Sequence, residues 1–272
     1  MEGITGRWRE LNRASWDERV GIHLRSELYD LDEFRRRPDS LKDFEKHEVG
    51  DVAGKQLLHL QCHFGRDTLS WASRGADATG LDFSPPAIEA ARHLAAELAL
   101  PARFVLADVY GAVAALDGRR FDIVYTGFGA LNWLPDLPRW ASITADLLAP
   151  GGFLYLAEFH PFAFVLDDAT GSVVAHDYFD EGPHLSGGPG SYADEHAVTE
   201  HDTTIEWDHT LASVVSSIAA AGLRIEFLHE HDHTFYRQRQ SLEHHPDDVY
   251  RHATGAPRYP LTYSLRARKD SP

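Results

Sequence analysis

The stretch LLHLQCHFGRDTLSWA, residues 57–72, contains the first side chains that indicate a ligand site. It begins like a buried strand and continues into a loop and a helix, an arrangement in which backbone N–H groups bind nucleotides. Gly65 stands where such loops have glycine, but Gln61 and His63 occupy two other glycine positions. A pyrophosphate requires close backbone approach at those positions. The loop therefore disfavours a dinucleotide and favours a ligand without phosphate.

Two carboxylates follow the next two apolar runs. Asp82 ends the strand in GLDFS, at the separation from the loop at which an acid accepts hydrogen bonds from ribose hydroxyls in dinucleotide folds. Asp108 ends the strand in VLADV and is placed to accept from an adenine amino group, while the Val109 N–H completes the polar edge of the ring. Two acids on adjacent strands beside the glycine loop predict an adenosine site.

Five segments resemble the motifs of class I S-adenosylmethionine-dependent methyltransferases over residues 50–160: LLHLQCHFGRDT, GLDFSPPAIEAAR, FVLADV, FDIVYTGFGALNWLPD and LLAPGGFLYLAEFH. The resemblance implies S-adenosylmethionine as cofactor, which has no phosphate and carries its methyl group on a sulfonium. NRASWDERV is similar to a cofactor-covering helix of small-molecule members. The sequence departs from the family at His59, where an acid is usual, and at Gln61 and His63, where glycines are usual, so the contacts of the methionine end stay open. The predicted cofactor-binding residues are Trp16, Gln61, His63, Gly65, Asp82, Phe83, Asp108, Val109 and Thr126.

Methyl transfer from a sulfonium is an in-line displacement, for which positioning supplies much of the rate and a base is optional. Histidine is the natural base because its pKa lies near neutrality. His160 after the fifth strand and His209 at the start of a later helix are the predicted catalytic residues. The alternative for His160 is to cap the strand or line the pocket, and the alternative for His209 is a structural role at the start of the helix. The aromatic residues predict a flat acceptor held between rings, with packing in a small core as the alternative. The predicted substrate-binding residues are Phe128, Trp133, Tyr178, Tyr192, Trp207 and Tyr236.

Three other functions fit parts of the sequence. An NAD-dependent oxidoreductase has the same fold class but is disfavoured by Gln61 and His63. A catalytically inactive, S-adenosylmethionine-binding regulatory subunit is compatible with the altered first motif. A metal hydrolase would use the alternating residues His229, His231 and His233, but their position at the end of an edge strand favours surface histidines. We therefore predict no metal site.

The predicted site needs a sheet that brings several strand ends together. Short apolar runs alternate with helical patterns between residues 56 and 158, which is typical of a parallel sheet covered on both faces. The strands are predicted over 57–61, 78–81, 103–107, 121–126 and 152–159, and the helices over 66–73, 85–99, 138–148 and a short turn near 112. A helix over 211–221 and the strands LRIEFLHE and LTYSLRARK add an antiparallel pair at the sheet edge.

The fold class is therefore α/β: a doubly wound, mostly parallel seven-stranded sheet, Rossmann-like, with an antiparallel edge strand. The ligand crevice is expected at the carboxyl ends of the parallel strands. Residues 1–49 are predicted to form a helical cap, 50–160 the cofactor-binding core, 161–206 a lid or substrate-binding insertion, and 207–272 the completion of the core. A loop as long as 161–206 is unusual unless it is functional.

Composition restricts the partners. The 42 acidic residues outnumber the 26 basic ones, and a net charge of −16 repels phosphate backbones. The single cysteine, Cys62, cannot form an internal disulfide and fits a reducing compartment. The first ten residues lack the apolar segment of a secretory signal, and no run is long enough to cross a membrane. We expect a cytoplasmic protein that acts on a small molecule, binds neither nucleic acid nor membrane, and is compatible with a homodimer.

Overall fold

The computed structural model describes residues 6–271, so residues 1–5 of the predicted cap and residue 272 lie outside the described part. The α-helices are α1 (Trp8–His23), α2 (Leu31–Arg36), α3 (Asp43–Val49), α4 (Arg66–Ser73), α5 (Pro85–Glu97), α6 (Ala112–Ala115), α7 (Leu137–Leu147), α8 (Pro161–Phe164) and α9 (Leu211–Ala220). The first five strands are β1 (Gln56–Leu60), β2 (Asp77–Asp82), β3 (Ala102–Leu106), β4 (Phe121–Thr126) and β5 (Leu148–Phe159). The later strands are β6 (His184–Gly187), β7 (Thr203–Glu206), β8 (Leu223–His231), β9 (His233–Thr234), β10 (Leu242–His245), β11 (Val249–His252) and β12 (Thr262–Lys269).

Seven strands form the main sheet in the order β3-β2-β1-β4-β5-β12-β8. Strands β1 to β5 pair in parallel, whereas β12 pairs antiparallel with both β5 and β8. The predicted fold class and the antiparallel pair are confirmed, and β12 lies between β5 and β8 rather than outermost. The core strands and helices also form as predicted, with ends that differ by at most four residues.

Both faces of the sheet are buried under helices. Trp140 of α7 packs on one face together with Leu58 and Val124, and Trp71 of α4 packs on the other face together with Ile123. Neighbouring residues of β1 and β4 thus point into two different cores. This two-sided burial explains why these strands are continuous apolar runs rather than alternating ones.

Local signals start the helices that flank the sheet. The Ser84 hydroxyl accepts a hydrogen bond from the Ala87 N–H (3.3 Å) and two prolines follow, so α5 begins as the sequence dictates. The Asp136 carboxylate caps α7 in the same way through the Arg139 N–H (3.0 Å). Because these helices follow β2 and a loop after β4, their N-terminal ends lie beside the carboxyl ends of the strands.

The insertion, residues 161–206, contains α8 and a two-stranded ribbon of β6 and β7. The sequence analysis placed no strand between LRIEFLHE and LTYSLRARK, but β9, β10 and β11 form a small antiparallel sheet there. Its strands are two to four residues long and rich in histidine, too short and too polar to show an alternating apolar pattern. The four-segment division stays a prediction. None of the helices within residues 6–271 is long and apolar enough to cross a bilayer.

Candidate active site

The carboxyl ends of β1 to β4 open into one cavity, which helix α1 covers from above. Eleven predicted site residues line it: Trp16, Gln61, His63, Gly65, Asp82, Phe83, Asp108, Val109, Phe128, Trp133 and Tyr192. The wall also includes residues that the sequence did not single out as site residues, among them Trp8, Asn12, Tyr29, Arg66 and Asp67. The sequence therefore located the cavity, while the functions of its individual residues stay predictions.

The loop between β1 and α4 keeps a left-handed backbone at all three expected glycine positions. The φ angles are 56° at Gln61, 50° at His63 and 80° at Gly65. Only the last position excludes a side chain, because a Cβ on Gly65 would lie 2.6 Å from the Phe104 ring. The Gln61 Nε2 donates to the Ala130 carbonyl (2.8 Å), so this side chain ties the loop to the segment after β4.

Asp82 joins the loop to the end of β2. Its Oδ2 accepts from the His63 N–H (2.8 Å) and its Oδ1 from the Ser84 N–H (2.9 Å). Burial raises the pKa of the Asp82 carboxyl to about 6, although these backbone N–H groups favour the ionised form. Each oxygen keeps a further lone pair, so the carboxylate can still accept hydrogen bonds from a vicinal diol.

Asp108 lies at the end of β3 with one oxygen already in an ion pair. Its Oδ2 is 2.6 Å from the Arg9 Nε of helix α1, and its Oδ1 accepts from the Tyr110 N–H (2.8 Å). The ion pair is only partly buried, with half of the Arg9 side chain exposed. A ligand amino group at Asp108 would therefore share the carboxylate with Arg9, a competition that the sequence did not indicate.

Glu158, the next-to-last residue of β5, fixes the loop that follows β4. Its buried carboxylate accepts from the N–H groups of Gly129, Ala130 and Leu131 at 2.8 to 3.0 Å. Burial raises the pKa of this carboxyl, and the N–H groups oppose that rise. Sequence reasoning missed this residue, although an acid within the otherwise apolar run LYLAEF was an available signal.

A cluster of aromatic rings surrounds His63 on the side of helix α1. The His63 ring centroid lies 5.3 Å from that of Trp16 and 5.0 Å from that of His23, and Trp16 also contacts Trp133 at 5.3 Å. Burial lowers the pKa of His63 well below its ordinary value, and the nearby His23 lowers it further. The His63 Nε2 is buried and has no hydrogen-bond partner within residues 6–271. This neutral imidazole can accept a hydrogen bond from a ligand.

Helix α1 connects the core to the insertion. The Asn12 side chain donates to the Ile205 carbonyl (2.7 Å) and accepts from the Ile205 N–H (2.8 Å), with Asn12 fully buried. On the core side, the Ser84 hydroxyl donates to Asp17 (2.6 Å). On the insertion side, the carboxylate of the next residue, Glu18, accepts from the Glu200 N–H (2.8 Å). The helix is therefore held from both sides above the cavity.

Neither predicted catalytic histidine lines the cavity. Both ring nitrogens of His160 have partners: Nδ1 accepts from the Phe162 N–H (3.2 Å), and Nε2 lies 2.9 Å from Glu230. The Nε2 of His209 lies 2.8 Å from the Leu134 carbonyl. Burial lowers the pKa of both histidines. His160 caps α8, and His209 has a structural contact beside α9, which Thr210 caps, so neither placement supports a general base.

Four other predicted site residues also lie outside the cavity wall. Thr126 is fully buried in β4, and the Tyr178 hydroxyl accepts from the Leu211 N–H (3.1 Å) at the start of α9. Trp207 packs edge-on behind Trp8, with ring centroids 5.5 Å apart. Tyr236 packs on Phe159 at 5.2 Å, next to the rings of the cavity rather than among them. The sequence could not distinguish these residues from those that line the cavity, because the direction of a side chain depends on tertiary packing.

The alternating histidines of β8 and β9 have other contacts. The Nδ1 of His229 lies 2.6 Å from Glu48, and His231 packs on Phe44 at 4.4 Å between ring centroids. Within residues 6–271 there is no group of three or more His, Cys, Asp or Glu side chains arranged to hold a metal ion. These histidines thus give no geometric support to a metal hydrolase.

Residues 57–152 match a family model described as a methyltransferase domain. A ubiquinone biosynthesis O-methyltransferase of Coxiella burnetii is 31% identical over 106 residues, which are 39% of this chain and 44% of the relative. A demethylmenaquinone methyltransferase of Thermus thermophilus is 37% identical over 113 residues, 41% of this chain and 50% of the relative. The chain thus spans about half the length of these curated relatives.

The fold similarity extends beyond the matched domain. An S-adenosylmethionine-dependent methyltransferase from Mesorhizobium loti superposes with a TM-score of 0.58 at 21% identity, covering 82% of this chain and 94% of that one. This similarity confirms the predicted Rossmann-like fold. The matched methyltransferase domain contains the strand ends that open into the cavity, and the fold is similar to that of S-adenosylmethionine-dependent methyltransferases of known structure.

Proposed function

We propose that this protein binds S-adenosylmethionine in the strand-end cavity and transfers a methyl group to an oxygen or nitrogen atom of a small aromatic or heterocyclic molecule. One observation carries the proposal. The cavity brings together the carboxylates of Asp82 and Asp108 at the ends of adjacent strands, with the loop around Gly65 below them and helix α1 above. Carboxylate acceptors at the ends of two adjacent strands suit the ribose hydroxyls and the adenine amino group.

The polar atoms of the cavity wall support this cofactor. The Gln61 Oε1 and the His63 Nε2 are buried and lack hydrogen-bond partners within the described residues. Buried polar atoms without partners are unfavourable, so a ligand with donors would stabilise the loop. Asp82 would hold the ribose and Asp108 the adenine, while the loop residues would contact the part of the cofactor nearest the sulfonium.

The bound cofactor supplies an electrophilic methyl group on a positively charged sulfur. The protein's own contribution is to align the acceptor with that group and to keep water out. Trp16 and Trp133, whose rings meet at 5.3 Å, cover the cavity, and Phe128 and Tyr192 extend its wall toward the insertion. Flat apolar walls of this kind favour an aromatic ring as the acceptor.

A dedicated base with a pKa near neutrality is absent from the histidines that line the cavity within residues 6–271. His59 and His63 are the lining histidines, and burial lowers the pKa of both. A neutral His63 can orient an acceptor hydroxyl through its free Nε2, but its protonated form is costly in this environment. We therefore propose that rate acceleration depends mainly on positioning, and that acceptors that ionise easily react best.

A curated relative that is named as an O-methyltransferase favours oxygen as the methylated atom. It is named for ubiquinone biosynthesis, whereas the second relative, a demethylmenaquinone methyltransferase, is named without a methylated atom. We propose a hydroxylated aromatic ring as the first acceptor class to test, and a nitrogen heterocycle as the second.

Calorimetry with S-adenosylmethionine and S-adenosylhomocysteine tests the cofactor. We expect dissociation constants well below millimolar for both, and no measurable binding of NADH. A panel of phenols, catechols and nitrogen heterocycles with radiolabelled S-adenosylmethionine then tests the transfer. Cofactor binding weaker than millimolar contradicts the proposal as a whole. Cofactor binding without transfer to any of these acceptors contradicts the proposed acceptor class.

A further inference from the structure

Arg66 and Asp67, the first two residues of helix α4, carry opposite charges and both line the cavity. Neither has an oppositely charged side chain within 4.0 Å among residues 6–271, although the same chain forms many ion pairs elsewhere on its surface. Partly buried charges are normally paired. Two adjacent unpaired charges of opposite sign in a ligand cavity therefore need an explanation.

The Arg66 guanidinium lies between two aromatic rings. Its central carbon is 5.4 Å from the ring centroid of Tyr29 and 5.2 Å from that of Phe34. The rings fix the position of the guanidinium but accept none of its N–H groups, and the Nε is buried without a hydrogen-bond partner in the described part of the chain. A guanidinium stays charged at neutral pH and has a planar donor geometry suited to a carboxylate. The Arg66 guanidinium is therefore positioned to bind the carboxylate of a ligand.

The Asp67 carboxylate has one oxygen in use and one facing the cavity. Its Oδ1 accepts from the Ser40 hydroxyl (2.5 Å), whereas its Oδ2 lies only 3.6 Å from where a Cβ on Gly127, another lining residue, would stand. The neighbouring ring of His59 supplies no positive charge, because burial lowers its pKa to about 4. The free oxygen is therefore available to a cationic group of a ligand that reaches Gly127.

We propose that Arg66 and Asp67 together bind the zwitterionic amino-acid end of S-adenosylmethionine, with Arg66 holding the carboxylate and Asp67 the ammonium group. This inference rests on the proposed function. It places on helix α4 the negative charge that the family resemblance leads one to expect on strand β1, where His59 stands. A pyrophosphate at the same site would repel Asp67.

Three ligands separate the two contacts: S-adenosylmethionine, its decarboxylated form, and 5′-methylthioadenosine, which lacks the amino-acid end. Loss of a hydrogen bond to a charged group weakens binding by about tenfold or more. We expect Arg66→Met to weaken S-adenosylmethionine by at least that factor and to leave the decarboxylated form unchanged. We expect Asp67→Asn to weaken both of those ligands. Neither substitution should change the affinity for 5′-methylthioadenosine, which also shows that the variant is folded.

Arg36→Met and Asp168→Asn are the matched controls, because both side chains are mostly exposed and lie outside the cavity wall. Arg66→Lys, which keeps the charge, should retain a preference for S-adenosylmethionine over its decarboxylated form even if Arg66→Met fails to fold.

Affinities for S-adenosylmethionine within twofold of the original protein overturn the inference and leave the proposed function standing. Equal losses for all three ligands also overturn it, because the residues would then only shape the loop. An original protein that binds none of the three ligands refutes the proposed function itself.

Discussion

The floor of the cavity, formed by the loops at the carboxyl ends of β1 to β4, and its cover, formed by helix α1 and the insertion, are held in place by different contacts. In the floor, carboxylates bind backbone N–H groups of neighbouring loops, as Asp82 binds that of His63 across 19 positions of the chain. In the cover, side chains of helix α1 bind the insertion across much longer separations, 193 positions for Asn12 and Ile205 and 168 for His23 and Ser191. The floor belongs to the parallel sheet, whereas the cover depends on contacts between two segments that lie far apart in the chain.

This difference predicts that the floor and the cover have separate functions in ligand binding. A floor fixed by backbone contacts is preorganised and should determine cofactor affinity. A cover held by a few side-chain contacts can open more easily and should determine access and orientation of the acceptor. Substitutions in the two regions should therefore change different measured constants.

The largest effect is expected in the floor. Asp82→Ala removes the acceptor of two backbone N–H groups and the proposed acceptor of the ribose hydroxyls. Loss of a charged hydrogen-bond acceptor costs about 1.5–3 kcal/mol, so calorimetry should show S-adenosylhomocysteine binding weakened by more than about tenfold. Asp77→Ala is the matched control at the other end of β2, where the carboxylate pairs with Arg103, and it should leave the affinity unchanged.

The pH dependence gives an independent check on Asp82. Its pKa is raised to about 6, chiefly by burial, so the carboxyl becomes neutral as the pH falls through 6 and loses acceptor strength. Cofactor affinity should therefore fall below pH 6 in the original protein, and Asp82→Asn should show a weaker affinity without this step. An affinity of Asp82→Ala within twofold of the original protein would refute the ribose role.

Much of the floor could be predicted from the sequence because it follows local rules. Gly65, Asp82 and Asp108 stand at strand ends that alternating apolar runs and helices locate, and parallel strands bring those ends to one edge. The unpaired state of Arg66 and Asp67 could not be predicted in this way. It depends on which side chains approach the loop from helices far away in the chain.

The sequence could predict that a cover exists, but not which of its residues line the cavity. The length of the insertion predicted a lid, and its Tyr192 lines the cavity. Tyr178 and Trp207 do not line it, whereas Tyr29 of the N-terminal region does. Likewise His160 looked well placed after β5, yet the ring caps α8. The sequence pattern places the backbone of a residue near a strand end, whereas the direction of its side chain depends on the residues that pack against it.

An intermediate effect is expected in the cover. Asn12→Ala leaves the buried N–H and carbonyl of Ile205 without partners, which should reduce the free energy of unfolding by about 1–3 kcal/mol. Amide exchange should accelerate in α1 and around β7, and the KM for the acceptor should rise several-fold. Cofactor affinity should change less than about threefold, since Asn12 does not support the floor.

Arg13→Ala is the matched control for Asn12→Ala, because Arg13 is the next residue of α1 and its side chain is exposed. It should change neither amide exchange around β7 nor the acceptor KM. If Asn12→Ala instead weakened the cofactor as strongly as Asp82→Ala does, floor and cover would act as one unit and the division between them would be wrong.

The smallest effect is expected where the two regions touch, at the ion pair of Arg9 in α1 with Asp108 at the end of β3. Half of the Arg9 side chain is exposed, and such pairs contribute about 0–1 kcal/mol. Arg9→Met removes the competitor for Asp108 but keeps an apolar side chain beside Trp8, which the guanidinium contacts at 5.0 Å. We expect the affinity for S-adenosylhomocysteine to increase by less than about fivefold, and the difference to disappear at high salt because exposed charges are screened. A tenfold weakening would instead show that Arg9 itself contacts the cofactor, which would make helix α1 part of the floor.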